Sequence, residues 1–203
     1  MVILMENQIL PPVSVLNAML RADTVLIEKF DTYQKRTYRN RFVIATPQGR
    51  YILSVPLKQG KTRMFFTDVE ISYHDLWVTT LTNNLRSNYS SSPFFEHYFD
   101  KLIDIFRMNH QYLFELNNEL REFILNNMGI KLNISFTNKY QKTYPDEIID
   151  IRDKHLPSGG KFLIQNPVPY SQVFEDKTGF LNDLSCIDLL FNTGNYAGKY
   201  LDY

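Results

Sequence analysis

Two apolar runs near the start, Val2–Met5 and Thr24–Phe30, flank a segment that opens on Pro11-Pro12. Within that segment Leu16, Met19 and Leu20 stand at helical spacing, and Asp23 closes it. A proline pair ends extended chain and presets the first turn of a helix. The β-branched run after it reads as a strand. Strand, helix, strand in so little chain predicts a βαβ unit, whose strands are parallel with a right-handed crossover. A parallel pair needs cover on both faces, so the rest of the chain must supply helices.

It does so in the middle third. Trp77, Leu81, Leu85 and Tyr89 share one stripe, with Asp75 as the expected N-cap. Phe95, Tyr98, Phe99, Leu102, Ile105 and Phe106 form an i, i+3, i+4, i+7 face. A third helix is expected over 109–128, with Gly129 just past its end. Before these helices, Phe42 and Ile44 are separated from Ile52 and Ser54 by Thr46-Pro47-Gln48-Gly49, a hairpin turn. Further strands are expected at 65–71 and 131–136, then at 161–165 and 168–174. A terminal helix is expected at 184–193, capped by Asn182-Asp183. The fold class expected is α/β: one domain over 1–203, with a mixed sheet containing a β-hairpin and several packed helices.

Composition narrows function mostly by exclusion. Twenty-two basic residues balance 22 acidic ones, so no global charge draws the chain to nucleic acid or to an anionic membrane. One cysteine, Cys186, leaves no internal disulfide and no multi-cysteine metal site. His74, His97, His110 and His155 stand apart, and no metal site is expected. The N-terminal run lacks a basic n-region and no stretch approaches the ~18 apolar residues of a membrane helix, which predicts a cytoplasmic chain without membrane insertion. P-loop, Gly-x-Gly-x-x-Gly and Gly-x-Ser-x-Gly patterns are absent, and nothing names a cofactor or an oligomeric state.

Two constellations remain. Tyr33-Gln34-Lys35-Arg36-Thr37-Tyr38-Arg39-Asn40-Arg41 places four cations and two tyrosines in nine residues. Guanidinium forks match phosphate oxygens and tyrosine can stack on a base or sugar, so this loop is a candidate site for a small anionic ligand. The alternative is a solvated loop paired with acids such as Glu28 and Asp31. The second is the terminal helix, where Ser185, Asp188 and Asn192 project along one side beside Leu184, Ile187 and Phe191. A polar ridge on an apolar helix either faces a cleft or satisfies buried backbone. The acidic run Asp146, Glu147, Asp150, Asp153, interspersed with Arg152 and Lys154, reads as a solvated face.

The loop 33–41 followed by Leu53-Ser54-Val55-Pro56 resembles the WbqC-like family. So do Ser92-Pro93-Phe94-Phe95 with Tyr98, Gln172-Val173-Phe174 leading to Gly179-Phe180, and Leu184-Ser185 through Gly194. The resemblance runs over about residues 8–195, to a short Bacteroides-type form. It implies a bacterial protein of O-antigen or other surface-polysaccharide biosynthesis, acting on a nucleotide-linked sugar or glycan precursor, with group transfer the expected chemistry. A non-catalytic binding or scaffold protein of the same pathway is the alternative. Carried over, the ligand-binding candidates are Tyr33, Lys35, Arg36, Tyr38, Arg39, Asn40, Arg41, Tyr170, Gln172 and Asn192, with Asp188 as base or orienter near Ser185. Leu81 stands where the family usually has a histidine, and Tyr170-Ser171 replaces a usual Tyr-Tyr.

Overall fold

The computed structural model describes residues 1–58, 64–159 and 168–201. β1 (Val2–Glu6) passes through α1 (Val13–Leu20) to β2 (Thr24–Glu28). The strands pair in parallel, Leu4 opposite Leu26, which is the expected βαβ unit. β1 carries an unbroken apolar run because it is central: β2 lies on one side, and Ile3, Leu4 and Met5 are all buried.

β3 (Arg41–Thr46) and β4 (Gly49–Ser54) form the predicted hairpin, Arg41 opposite Ser54 and Thr46 opposite Gly49. The helices follow as α2 (Trp77–Tyr89), α3 (Phe95–Arg107) and α4 (Leu113–Asn127), burying the expected stripes. Gly129, at φ +68°, ends α4 in a Schellman arrangement, with Ile130 N–H on the Leu125 carbonyl at 2.8 Å. Asp75 does not cap α2; Leu76 takes that position without a side-chain cap.

β5 (Ile134–Phe136) lies parallel beside β2, and β6 (Ile148–Asp150) lies parallel on the free side of β1. The sheet order is therefore β5-β2-β1-β6, with the hairpin as a separate two-stranded sheet. The α/β class with a hairpin and packed helices holds, but the strands do not merge into one mixed sheet. β1 has both edges occupied, and the outer edge of β3 is taken by other groups. Val43 C=O accepts the Ser185 N–H at 2.9 Å, and Ala45 N–H donates to the Tyr89 hydroxyl at 2.9 Å.

Two of the further strand expectations need correction. Segment 65–71 holds a 3-10 turn (Phe66–Asp68) and isolated bridges such as Leu57–Ile71 instead of a strand. Residues 168–174 are not a strand either. The Gln172 amide bonds both backbone groups of Leu181, at 2.9 and 2.8 Å, and closes the chain around the short helix α5 (Glu175–Thr178). The expected strand 161–165 lies outside the described residues.

The terminal helix α6 spans Cys186–Thr193, and Asp183 does not cap it. Its carboxylate accepts the Ser14 N–H at 2.8 Å, so it caps α1 from 169 residues away. The sheet and the terminal helix are thereby tied at the end of the molecule where α1 begins.

Candidate functional site at the carboxyl ends of the parallel strands

β1, β2 and β6 each finish on an acid: Glu6, Glu28 and Asp150. From β1 the chain crosses to β2 on one side, whereas β6 flanks the other side, so connections diverge between β1 and β6. Open parallel sheets place ligands outside the carboxyl ends of their strands at such a point. A hollow of about 220 Å³ lies here, its wall including Asp31, Arg39, Tyr140, Asp150, Arg152 and Asp153. Thr32, Gln34 and Lys142 complete the wall.

Its chemistry begins with Arg39, whose side chain is wholly buried. One terminal nitrogen pairs with Asp31, and the other bonds Asp153 Oδ1 at 2.5 Å. Glu6, also fully buried, accepts the Asp153 N–H at 3.1 Å and the Gln8 amide at 2.7 Å. Arg152 makes the matching pair: it reaches Glu28 at 3.0 Å and Asp150 at 2.6 Å.

One guanidinium serves three carboxylates at Arg39, and the proton affinities show the shortfall. Burial pushes Glu6 and Asp31 above the ordinary carboxylate range, and Arg39 only partly offsets it. Burial works against charge on Arg39 as well, but Asp31, Glu6 and Asp153 outweigh it and hold it protonated. The two shifts do not conflict, since the cation gains from every acid around it while each acid has only a share of the cation. Asp150 goes the other way: burial raises it, but the hydrogen bonds from Arg152 outweigh burial and lower it.

The loop 33–41 thus divides. Arg39 enters the hollow wall. Tyr33 donates to Asn40 Oδ1 at 3.0 Å, and the Asn40 amide donates to the Val55 carbonyl at 2.9 Å, so these two shape the loop. Tyr38 is buried, its hydroxyl pushed up to about 12 by burial. Lys35 and Arg36 are exposed, directly after Gln34 of the wall, and Arg41 is half-buried on β3.

The α6 residues form a separate, sealed network. Asp188 is fully buried and accepts hydroxyl donors from Tyr89 and Tyr170, each at 2.7 Å. Asn192 donates to the Asp188 backbone carbonyl at 2.8 Å, and Ser185 Oγ donates to the Leu10 carbonyl at 2.9 Å. Burial raises the Asp188 carboxyl to about 6 despite those donors. Neither Asp188 nor Ser185 lines the strand-end hollow, and no side-chain hydrogen bond joins them to each other. Leu81, in the place of the usual histidine, is buried core on α2, beside a second, apolar hollow walled by Leu53, Leu76 and Trp77.

The acidic run at 146–153 does more than sequence reading gave it. Asp146, Glu147, Asp153 and Lys154 are exposed, as a solvated face requires, but Asp150, Arg152 and Asp153 also wall the hollow. The available signal was that three parallel strands each end on a carboxylate, but β6 itself is only three residues long and does not announce itself.

Comparison with protein families agrees with the resemblance. The model of the WbqC-like protein family matches residues 7–156. The chain belongs to this family. No curated protein and no solved structure matches it. The family span contains every residue that walls the strand-end hollow, and stops before Tyr170, Gln172, Ser185, Asp188 and Asn192. Among the described residues no helix is long and apolar enough to cross a membrane.

Proposed function

We propose that this WbqC-like protein works in the biosynthesis of a bacterial surface polysaccharide, binding a nucleotide-linked sugar or glycan precursor and transferring a group on it. The observation that carries the reading is a small, strongly polar hollow at the carboxyl ends of parallel strands, where their connections diverge. Its size suits one sugar-sized group, below the ~300–1,000 Å³ of drug-sized pockets. Hydroxyls need paired donors and acceptors, which alternating carboxylates and guanidiniums supply. Tyr140, half-exposed at the wall, offers an apolar ring face. The phosphates fall outside, toward the exposed Lys35, Arg36 and Lys142, because Arg39 and Arg152 are each already held by two carboxylates.

In this reading Asp188 and Ser185 act by holding α6 against Tyr89, Tyr170 and the Leu10 carbonyl. The alternative, a binding protein without chemistry, is favoured by one fact: Leu81 puts an apolar side chain where the family usually has an acid–base residue.

The test uses calorimetry with a panel of nucleotide-linked hexoses and the variants Tyr140→Ala and Lys142→Ala. Both side chains are exposed, so the melting temperature should stay within a few degrees. Loss of a ring face or of one phosphate contact should weaken binding by about five- to tenfold. Unchanged affinity in both variants would place the ligand elsewhere.

A further inference from the structure

Three phenyl rings meet in sequence between the strand-end hollow and α4. Phe66 touches Phe114 at a centroid spacing of 6.1 Å, and Phe114 touches Phe136 at 5.7 Å. A guanidinium stands over each outer ring at 5.9 Å, Arg39 over Phe66 and Arg121 over Phe136. The two ends differ in charge. Arg39 is held by Asp31 and Asp153, and Arg152 likewise holds two carboxylates. Arg121, on α4 and only 8 % exposed, has among the described residues neither an ion pair nor a hydrogen bond. Its Nε is sealed from solvent, whereas its terminal nitrogens are open to solvent and unbonded. The acid that acts on it is Glu122, next in the chain and exposed. Burial brings the guanidinium down to about 10, so it still carries its charge at neutral pH. A buried charge without a counterion is costly. Phe136 beside it is 41 % exposed, so ring and guanidinium meet solvent together.

We infer that Arg121 and Phe136 form a second binding site, which takes a small oxyanion, the phosphate or carboxylate of a ligand, on the open edge of the guanidinium. The inference stands apart from the sugar reading of the strand-end hollow, from which the three rings separate it. A guanidinium resting on an aromatic face keeps its N–H edge for two oxygens at once. One negative charge and a pair of acceptors are what this end of the row lacks, and either oxyanion brings both. An uncharged ligand would leave the cation uncompensated, and a cationic one would be repelled. Arg39 cannot serve in the same way, since both of its terminal nitrogens are taken by carboxylates.

Thermal melting of the full chain tests this, in chloride buffers of matched ionic strength with inorganic phosphate, acetate or glucose 1-phosphate added. At ten times its dissociation constant, the bound anion should raise the wild-type midpoint by about 3–6 °C. Arg121→Met removes the charge at similar volume and should abolish the rise. Arg121→Lys keeps the charge without the fork, and should need about tenfold more anion for the same rise. The lysine variant keeps the test open should the methionine variant fail to fold. Inorganic phosphate against acetate tells which oxyanion is held. Glucose 1-phosphate against inorganic phosphate tells whether the group arrives free or on a sugar. An equal response in wild type and either variant, or no rise with any of the three anions, overturns the assignment.

Discussion

Replacing Arg39 by alanine is expected to destabilise the protein by about 3–5 kcal/mol, the usual cost of removing one partner from a buried ion pair. The side chain is wholly buried and binds Asp31 and Asp153, with Glu6 close enough to raise its proton affinity. Its removal would leave three carboxylates without their shared cation. A domain of this kind has a total of about 5–15 kcal/mol, so the variant should approach the unfolding threshold. Arg39→Lys keeps the charge but loses the fork, and should fall between the two. Urea denaturation of the three proteins measures this. A loss below about 1 kcal/mol for Arg39→Ala, the range of a surface pair, would mean that the cluster contributes nothing to the fold.

The second large effect is a dependence on pH that runs against the common pattern for acids. Asp188 titrates at about 6 in the folded chain, against an ordinary 3.8. A raised carboxyl means that the folded state holds its proton longer than the unfolded state does. The stability contributed by protonated Asp188 is therefore complete below about pH 3.8 and is lost as pH rises through about 6. Roughly two pK units at ~1.4 kcal/mol each give about 3 kcal/mol. Glu6 and Asp31 shift the same way and add to the slope, while Asp150 opposes it. Asp188→Asn cannot titrate. Its stability difference from wild type should be largest near pH 4 and narrow by about 3 kcal/mol by pH 7, read from urea midpoints. A difference that stays constant across that range would show that Tyr89 and Tyr170 stabilise the carboxylate fully.

The difference between those two sites explains how much the sequence disclosed. Periodicity reports burial along one element, so the helical stripes of α2 and α3, the hairpin and the βαβ unit were all legible. Where residues meet across the chain, periodicity is silent. Asp183 sits three residues before α6 and reads as its cap, yet it serves α1 because the fold brings Ser14 to it. Asp150 and Asp153 look like a solvated charge run because β6 is too short to show a pattern, and its pairing with β1 is what brings Asp153 to Arg39, while Asp150 pairs with Arg152.

The basic loop was singled out together with the acids that could pair with it, and Arg39 does pair with Asp31. The second acid on Arg39, Asp153, comes from 114 residues away and was not legible. The polar ridge on α6 was likewise visible, and the choice left open between cleft and satisfied core resolves toward the core by geometry. Tyr89, 99 residues away, closes over Asp188, and no local pattern could have announced it.

The central claim is that ligand enters at the carboxyl ends of β1, β2 and β6. Amide shift mapping by NMR during titration with a nucleotide-linked hexose tests it most directly. The account predicts the largest shifts at residues 31–34, 39–41, 140–142 and 150–153, with 185–192 undisturbed. Shifts centred on 185–192 and Tyr170 would contradict it and return the site to Asp188.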